Sequence, residues 1–180
     1  MHRGSSDAAK VRELMRRLGE EAWGPGRVYL VGGASAVVVG WRETTLDVDL
    51  KLDPEPPGAF EAIARAKDAL DINVELAAPD EFIPPLPDWR ARSVYIVRHG
   101  RVDFLHYDFY AQALAKIERG HDLDRRDIVA MHARGLIVPD RLRGFLASIE
   151  PGLLRYPAVD PGTFRARVHA AVTELREAER

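Results

Sequence analysis

Val31-Gly32-Gly33-Ala34-Ser35-Ala36, followed after a short apolar run by Leu46-Asp47-Val48-Asp49-Leu50, decides how this chain is read. In the second segment acids alternate with apolar residues, the period of a strand. Asp47 and Asp49 therefore point to one face while Val48 and the flanking leucines turn to the other. Side-by-side carboxylates repel, and nothing in folding requires the pair. Divalent metal binding does: carboxylates facing a nucleoside triphosphate are a common way to hold Mg²⁺. Upstream, a Gly-Gly turn after a strand lets backbone N–H groups approach a phosphate closely, with the next helix aiming its N-terminus at the charge. The spacer 34–46 leaves room for one short helix and a return into an adjacent strand.

Working outward, Val11, Leu14, Met15, Leu18 and Ala22 recur at helical spacing, which predicts an amphipathic helix over 7–22, ended by Gly24-Pro25-Gly26. Residues 27–31 read as a strand, 35–40 as a short helix despite a valine run that also suits a strand, and 46–52 as a strand. Pro54-Glu55-Pro56-Pro57-Gly58 marks a loop before a helix over 59–70. Asp71-Ile72-Asn73-Val74-Glu75-Leu76 alternates again and predicts a third strand with Asp71, Asn73 and Glu75 on one face. Residues 79–87 form a proline-rich connection ordered by Phe82, Ile83 and Trp89. A hairpin follows, 93–97 and 102–107, around Arg98-His99-Gly100-Arg101. Helices are then expected over 109–119 with Asp108 as N-cap, 124–134 with Asp124 as N-cap and Gly135 at C′, 140–149, and 161 to about 179.

The 31–50 pattern resembles the nucleotidyltransferase superfamily of polymerase β: an apolar residue, Gly, Gly or Ser, a spacer of this length, then Asp, apolar, Asp or Glu, apolar. The closer likeness is to the bacterial branch with AbiEii-type toxins and small uncharacterised nucleotidyltransferase-like proteins, which carry Arg and Thr shortly before the acidic pair, as Arg42, Thr44 and Thr45 stand here. The resemblance spans roughly 10–135. It implies an α/β fold with a mixed central sheet flanked by helices over 1–135, leaving 136–180 as a C-terminal helical extension. It further implies Mg²⁺-dependent transfer of a nucleoside monophosphate from an NTP to a hydroxyl of RNA or protein. A toxin paired with an antitoxin is the biological setting it suggests.

On that resemblance Asp47 and Asp49 hold the metal, and Gly32, Gly33 and Ser35 cradle phosphate. Helix capping explains Ser35 equally well. The family's third carboxylate lies on the third core strand, as metal ligand or as base for the incoming hydroxyl. Asp71 is the expected one, with Glu75 and then Asp103 as alternatives. Asn73 can contact base or sugar but cannot replace a carboxylate at a metal. Lys116, Arg119, Asp124 and Asp127 match a second cluster of the toxin branch, in which the Lys binds triphosphate as a point charge; a solvated helix face explains them equally well. Arg42 and Lys51 flank the acidic pair and suit phosphate or surface ion pairing. His106-Tyr107-Asp108 is better read as strand-end packing than as catalytic.

Composition narrows the class further. The chain of 180 residues has no cysteine, so neither disulfides nor a thiolate zinc site are available. The formal charge of −2 gives no whole-protein field for non-specific nucleic-acid binding. Met1 to Arg16 has no apolar stretch resembling a signal peptide, and no run reaches membrane-span length, so a cytoplasmic protein is expected. The basic residues are nearly all arginine, the lysines being Lys10, Lys51, Lys67 and Lys116, a skew typical of GC-rich bacterial genomes. Two rivals remain: a degenerate member that binds nucleotide or a partner without turnover, and a small-molecule adenylyltransferase, for which the chain is short.

Overall fold

A computed structural model describes residues 4–178. The chain divides into two compact units, residues 1–78 with 93–107, and residues 79–92 with 108–180. Helices over 109–135, which the sequence reading joined to the nucleotidyltransferase-like core, fall in the second unit.

The first unit contains β1 (Ser6–Asp7), α1 (Ala8–Glu21), β2 (Gly26–Val31), α2 (Gly33–Val39), β3 (Thr44–Thr45), β4 (Asp47–Leu52), α3 (Ala59–Leu70), β5 (Asn73–Leu76), β6 (Val94–His99) and β7 (Val102–His106). Five strands form a mixed sheet in the order β5-β4-β2-β7-β6. β2 runs antiparallel to β4 and parallel to β7, while β4 and β5 are parallel. The α/β class expected from the sequence is the one observed.

Asp7 caps α1 by accepting a hydrogen bond from Lys10 N at 2.8 Å. The apolar stripe of α1 (Val11, Leu14, Leu18) and that of α3 (Ala62, Ile63, Ala66) share one core with Val28, Leu30, Val48, Leu50 and Phe104 of the sheet. Burying each of these leucines contributes about 1.5–3 kcal/mol. Strand alternation then commits the other face of β4 to Asp47 and Asp49. Two short strands escaped the sequence reading: Thr44–Thr45 pairs with Ser6–Asp7 in a separate two-stranded sheet. Segments this short carry no periodicity to read.

The second unit contains α4 (Trp89–Arg92), α5 (Phe109–Arg119), α6 (Asp122–Ala133), α7 (Pro139–Ile149) and α8 (Pro161–Ala178), with 3-10 turns at Pro79–Glu81 and Glu150–Arg155. Asp108 caps α5 through Tyr110 N at 3.1 Å, as expected. Gly135 ends α6 with φ 69°, and Leu136 N reaches back to Met131 O at 3.0 Å, the double closure that glycine permits. Asp124 does not cap α6. The helix begins one turn earlier, after His121, which frees Asp124 for ion pairing inside the unit. In the proline-rich segment Ile83 and Trp89 are buried, whereas Phe82 is half exposed. Among the described residues no helix is long and apolar enough to cross a membrane.

Candidate functional site

Asp47 and Asp49 share the face of β4 opposite the core, both half-buried, because Val48 and Leu50 are drawn into that core. The register places Asp49 between Val31 of β2 and Glu75 of β5, and Asp47 beside Asn73. Asn73 uses its side-chain amide twice. Nδ2 donates to Asp47 Oδ1 at 2.6 Å and to Glu75 Oε1 at 3.1 Å. Three carboxylates and one amide thus occupy neighbouring positions on two paired strands.

The Gly-Gly turn abuts this group. Gly32 adopts φ 55° and ψ −123°, a conformation open to glycine and strained for other residues. A Cβ there would stand 3.4 Å from Asp49 Oδ2, so the turn backbone and the carboxylate are near neighbours. Gly33 is required for a different reason. A Cβ at this position would lie 2.1 Å from Thr45 Oγ1 and 3.5 Å from Arg42 Nη1. Thr45, buried, also donates to Asp47 O at 2.9 Å, tying the turn to the start of β4. The Arg and Thr that precede the acidic pair in the sequence therefore pack against the glycine turn.

Ser35 faces the protein interior. It is fully buried, its hydroxyl donates to Leu30 O at 2.9 Å, and its oxygen lies 2.9 Å from His106 Nδ1. Since the one hydroxyl hydrogen is directed at Leu30, the imidazole donates from Nδ1. Burial, reinforced by the positive charge of Arg12, pulls His106 down to about 4, so it is neutral at pH 7. His106 is a packed strand-end residue.

Asp71 is not on β5. It is the C-cap of α3 in the left-handed region (φ 50°, ψ 53°), exposed, and it accepts from Gly4 N at 3.3 Å. The strand begins two residues later, so the carboxylate that β5 sets opposite Asp49 is Glu75. The signal was present in the sequence: Val74-Glu75-Leu76 repeats the apolar–acid–apolar pattern of Val48-Asp49-Leu50. Asp103, the other alternative, is committed to Arg98, with paired contacts of 2.7 and 2.8 Å that lower its carboxyl below the usual range.

The model of DUF6036, described as a nucleotidyltransferase of unknown function, matches residues 9–149. The chain belongs to this family. No curated protein and no solved structure matches it. The matched segment of this DUF6036 chain takes in the Gly-Gly turn, the acidic strand, β5 and also Lys116. Lys116 lies in the second unit, buried, with Nζ 3.0 Å from Asp124 Oδ1 and 2.7 Å from Asp127 Oδ2. Arg119 clasps Asp124 through both carboxylate oxygens at 2.6 and 2.7 Å. Burial pushes the Asp124 carboxyl up, but Arg119 and Lys116 together outweigh it and hold the group at about 2. The four side chains carry two positive and two negative charges, which cancel within the cluster.

Proposed function

We propose that the β4–β5 face is a nucleotidyltransferase active site that moves a nucleoside monophosphate from an NTP to a hydroxyl of RNA or protein. The observation that carries this reading is the approach of Asp49 to Gly32, with Asp47 on the same face and Glu75 across the register. Among the described residues no group of three or more His, Asp or Glu side chains is gathered to hold a metal by itself. Mg²⁺ is often held by only one or two carboxylates, with substrate phosphates completing its shell. Asp47 and Asp49, both hard oxygen donors, fit that role with a triphosphate present. Bound there, Mg²⁺ would stabilise charge developing on the phosphates.

In this reading the acceptor oxygen attacks the α-phosphorus, and the bond to the β-phosphate's bridging oxygen breaks, releasing pyrophosphate. Glu75 takes the acceptor's proton, the role first expected of Asp71. Gly32 and Gly33 keep the turn backbone bare beside the phosphates, and Arg42, close to Gly33, adds positive charge. A toxin paired with an antitoxin is the setting this reading suggests, and an adjacent small antitoxin-like gene is the test of that setting.

A second reading has its own support: without a third gathered ligand, the site suits nucleotide binding without turnover. The two are separated by incubating the full chain with each of the four NTPs and Mg²⁺. Pyrophosphate release that disappears in Asp49→Asn supports transfer. A nucleotide-induced rise in melting temperature with no pyrophosphate supports binding alone.

A further inference from the structure

Asn73 occupies the register position beside Asp47, where the alternation of β5 would otherwise allow a third acid next to the pair. Its amide has two hydrogens, and they go to two different carboxylates, Asp47 at 2.6 Å and Glu75 at 3.1 Å. We infer that Asn73 is a positioning residue that stands in for a cation between these carboxylates, and thereby makes metal binding conditional on a triphosphate. This rests on the proposed active site and extends it to how the metal is admitted.

The physical argument is one of competition for lone pairs. An amide is neutral, so it cannot cancel the charge of Asp47 and Glu75, but it satisfies one oxygen of each and fixes their separation. A divalent ion arriving alone must displace those hydrogen bonds and finds too few protein ligands in return, because no group of three or more is gathered among the described residues. A metal arriving with a triphosphate brings phosphate oxygens of its own, and two carboxylates then suffice. An aspartate at position 73 would remove the competitor and add a ligand at once. The alternative, that the amide only fastens β5 to β4, leaves metal affinity untouched.

The test uses the full chain with Mn²⁺ alone and Mn²⁺ with inorganic tripolyphosphate, a probe with no base to recognise. Binding is read by calorimetry and by the shift in melting temperature. Wild type is expected to bind Mn²⁺ alone weakly and much more tightly with tripolyphosphate. Asn73→Ala should bind Mn²⁺ alone more tightly than wild type, and Asn73→Asp more tightly still, by about tenfold or more, since affinity follows the ligand charge count. If Asn73→Ala melts lower yet shows unchanged Mn²⁺ affinity, the residue is merely structural and the inference is overturned. Asp49→Asn added to Asn73→Asp separates the two claims. Loss of the gained Mn²⁺ affinity supports both, whereas its survival places the metal elsewhere and defeats the active-site reading itself.

Discussion

Each unit of this chain carries a cluster of acidic side chains, and the two are solved in opposite ways. In the second unit Asp124 and Asp127 are almost wholly buried, and Lys116 and Arg119 supply an equal number of positive charges at hydrogen-bond distance. On β4 and β5 of the first unit, Asp47, Asp49 and Glu75 stand half-buried or exposed around a neutral amide. The first arrangement is closed, because its lone pairs and charges are spent on one another. The second gathers its carboxylates beside a bare glycine turn, with an amide and not a cation hydrogen-bonded between two of them. Buried ion pairs add little net stability but are costly to break. Similar-looking acidic motifs are thus told apart by their burial and by what bridges them, lysine and arginine in one and an amide in the other.

The largest expected effect lies at the open cluster. Asp49→Asn should abolish the Mg²⁺- and NTP-dependent rise in melting temperature together with any pyrophosphate release. Removing one of two repelling charges should leave stability within about 0.5 kcal/mol of wild type. A variant that keeps the full ligand-induced shift would place the site away from β4.

The closed cluster should behave in the reverse manner. Lys116→Ala removes the buried cation that Asp124 and Asp127 share, leaving Arg119 on Asp124, and is expected to cost about 3–5 kcal/mol in urea unfolding. The variant that remains folded should keep its NTP-induced shift. Loss of that shift at temperatures where the variant is folded would return Lys116 to phosphate binding.

Acid sharpens the contrast between the units. His106 is held neutral at about 4, below its ordinary 6.5, so the unfolded chain binds this proton more readily than the folded one. Its contribution is complete above pH 6.5 and is lost as pH falls toward 4, by about 3 kcal/mol at 1.36 kcal/mol per unit. Asp124 is depressed from 3.8 to about 2, so its contribution is lost only at lower pH, between those values. Urea unfolding from pH 7 to pH 4 should show this decline, and His106→Gln should flatten it.

Gly33→Ala comes next. Its Cβ would collide with Thr45 Oγ1 at 2.1 Å and force the turn off β4, an overpacking cost of about 1–3 kcal/mol. Adding Thr45→Ala should recover part of that loss in a double-mutant cycle. Full additivity of the two changes would show that the contact is not what requires glycine.

Much of the first unit was legible because its signals are periodic. The helix over 59–70 matches the observed α3, and strand alternation put Asp47 and Asp49 on one face of β4. What escaped depends on contacts that sequence does not encode locally. Ser35 looked like a phosphate ligand because it follows two glycines, yet a β-strand carbonyl and His106, far along the chain, claim its hydroxyl. Asp124 looked like a helix cap, but Arg119 and Lys116 drew it into the second unit's interior. Asp71 was misplaced for a purely backbone reason. Asp tolerates the left-handed region, so the chain used it to end α3 before the strand began.

That backbone role sets the smallest prediction and separates Asp71 from Glu75. A non-glycine residue at φ 50° is held against its steric preference, so Asp71→Gly should match wild type or exceed it by a few tenths of a kcal/mol. Asp71→Ala keeps the strain and loses the local hydrogen bonding that lets Asp adopt this region, and should cost about 1 kcal/mol. Neither should change transfer, because the side chain reaches Gly4 N from a cap outside the strand. Glu75→Gln, by contrast, keeps the size of the side chain and its hydrogen bond from Asn73 while removing the base, and should stop pyrophosphate release without altering the melting temperature. Unfolding curves and pyrophosphate release measured on the three variants decide the matter. If Asp71→Gly loses transfer while Glu75→Gln retains it, the third carboxylate is the one that caps α3, and the register of β5 has misled the assignment.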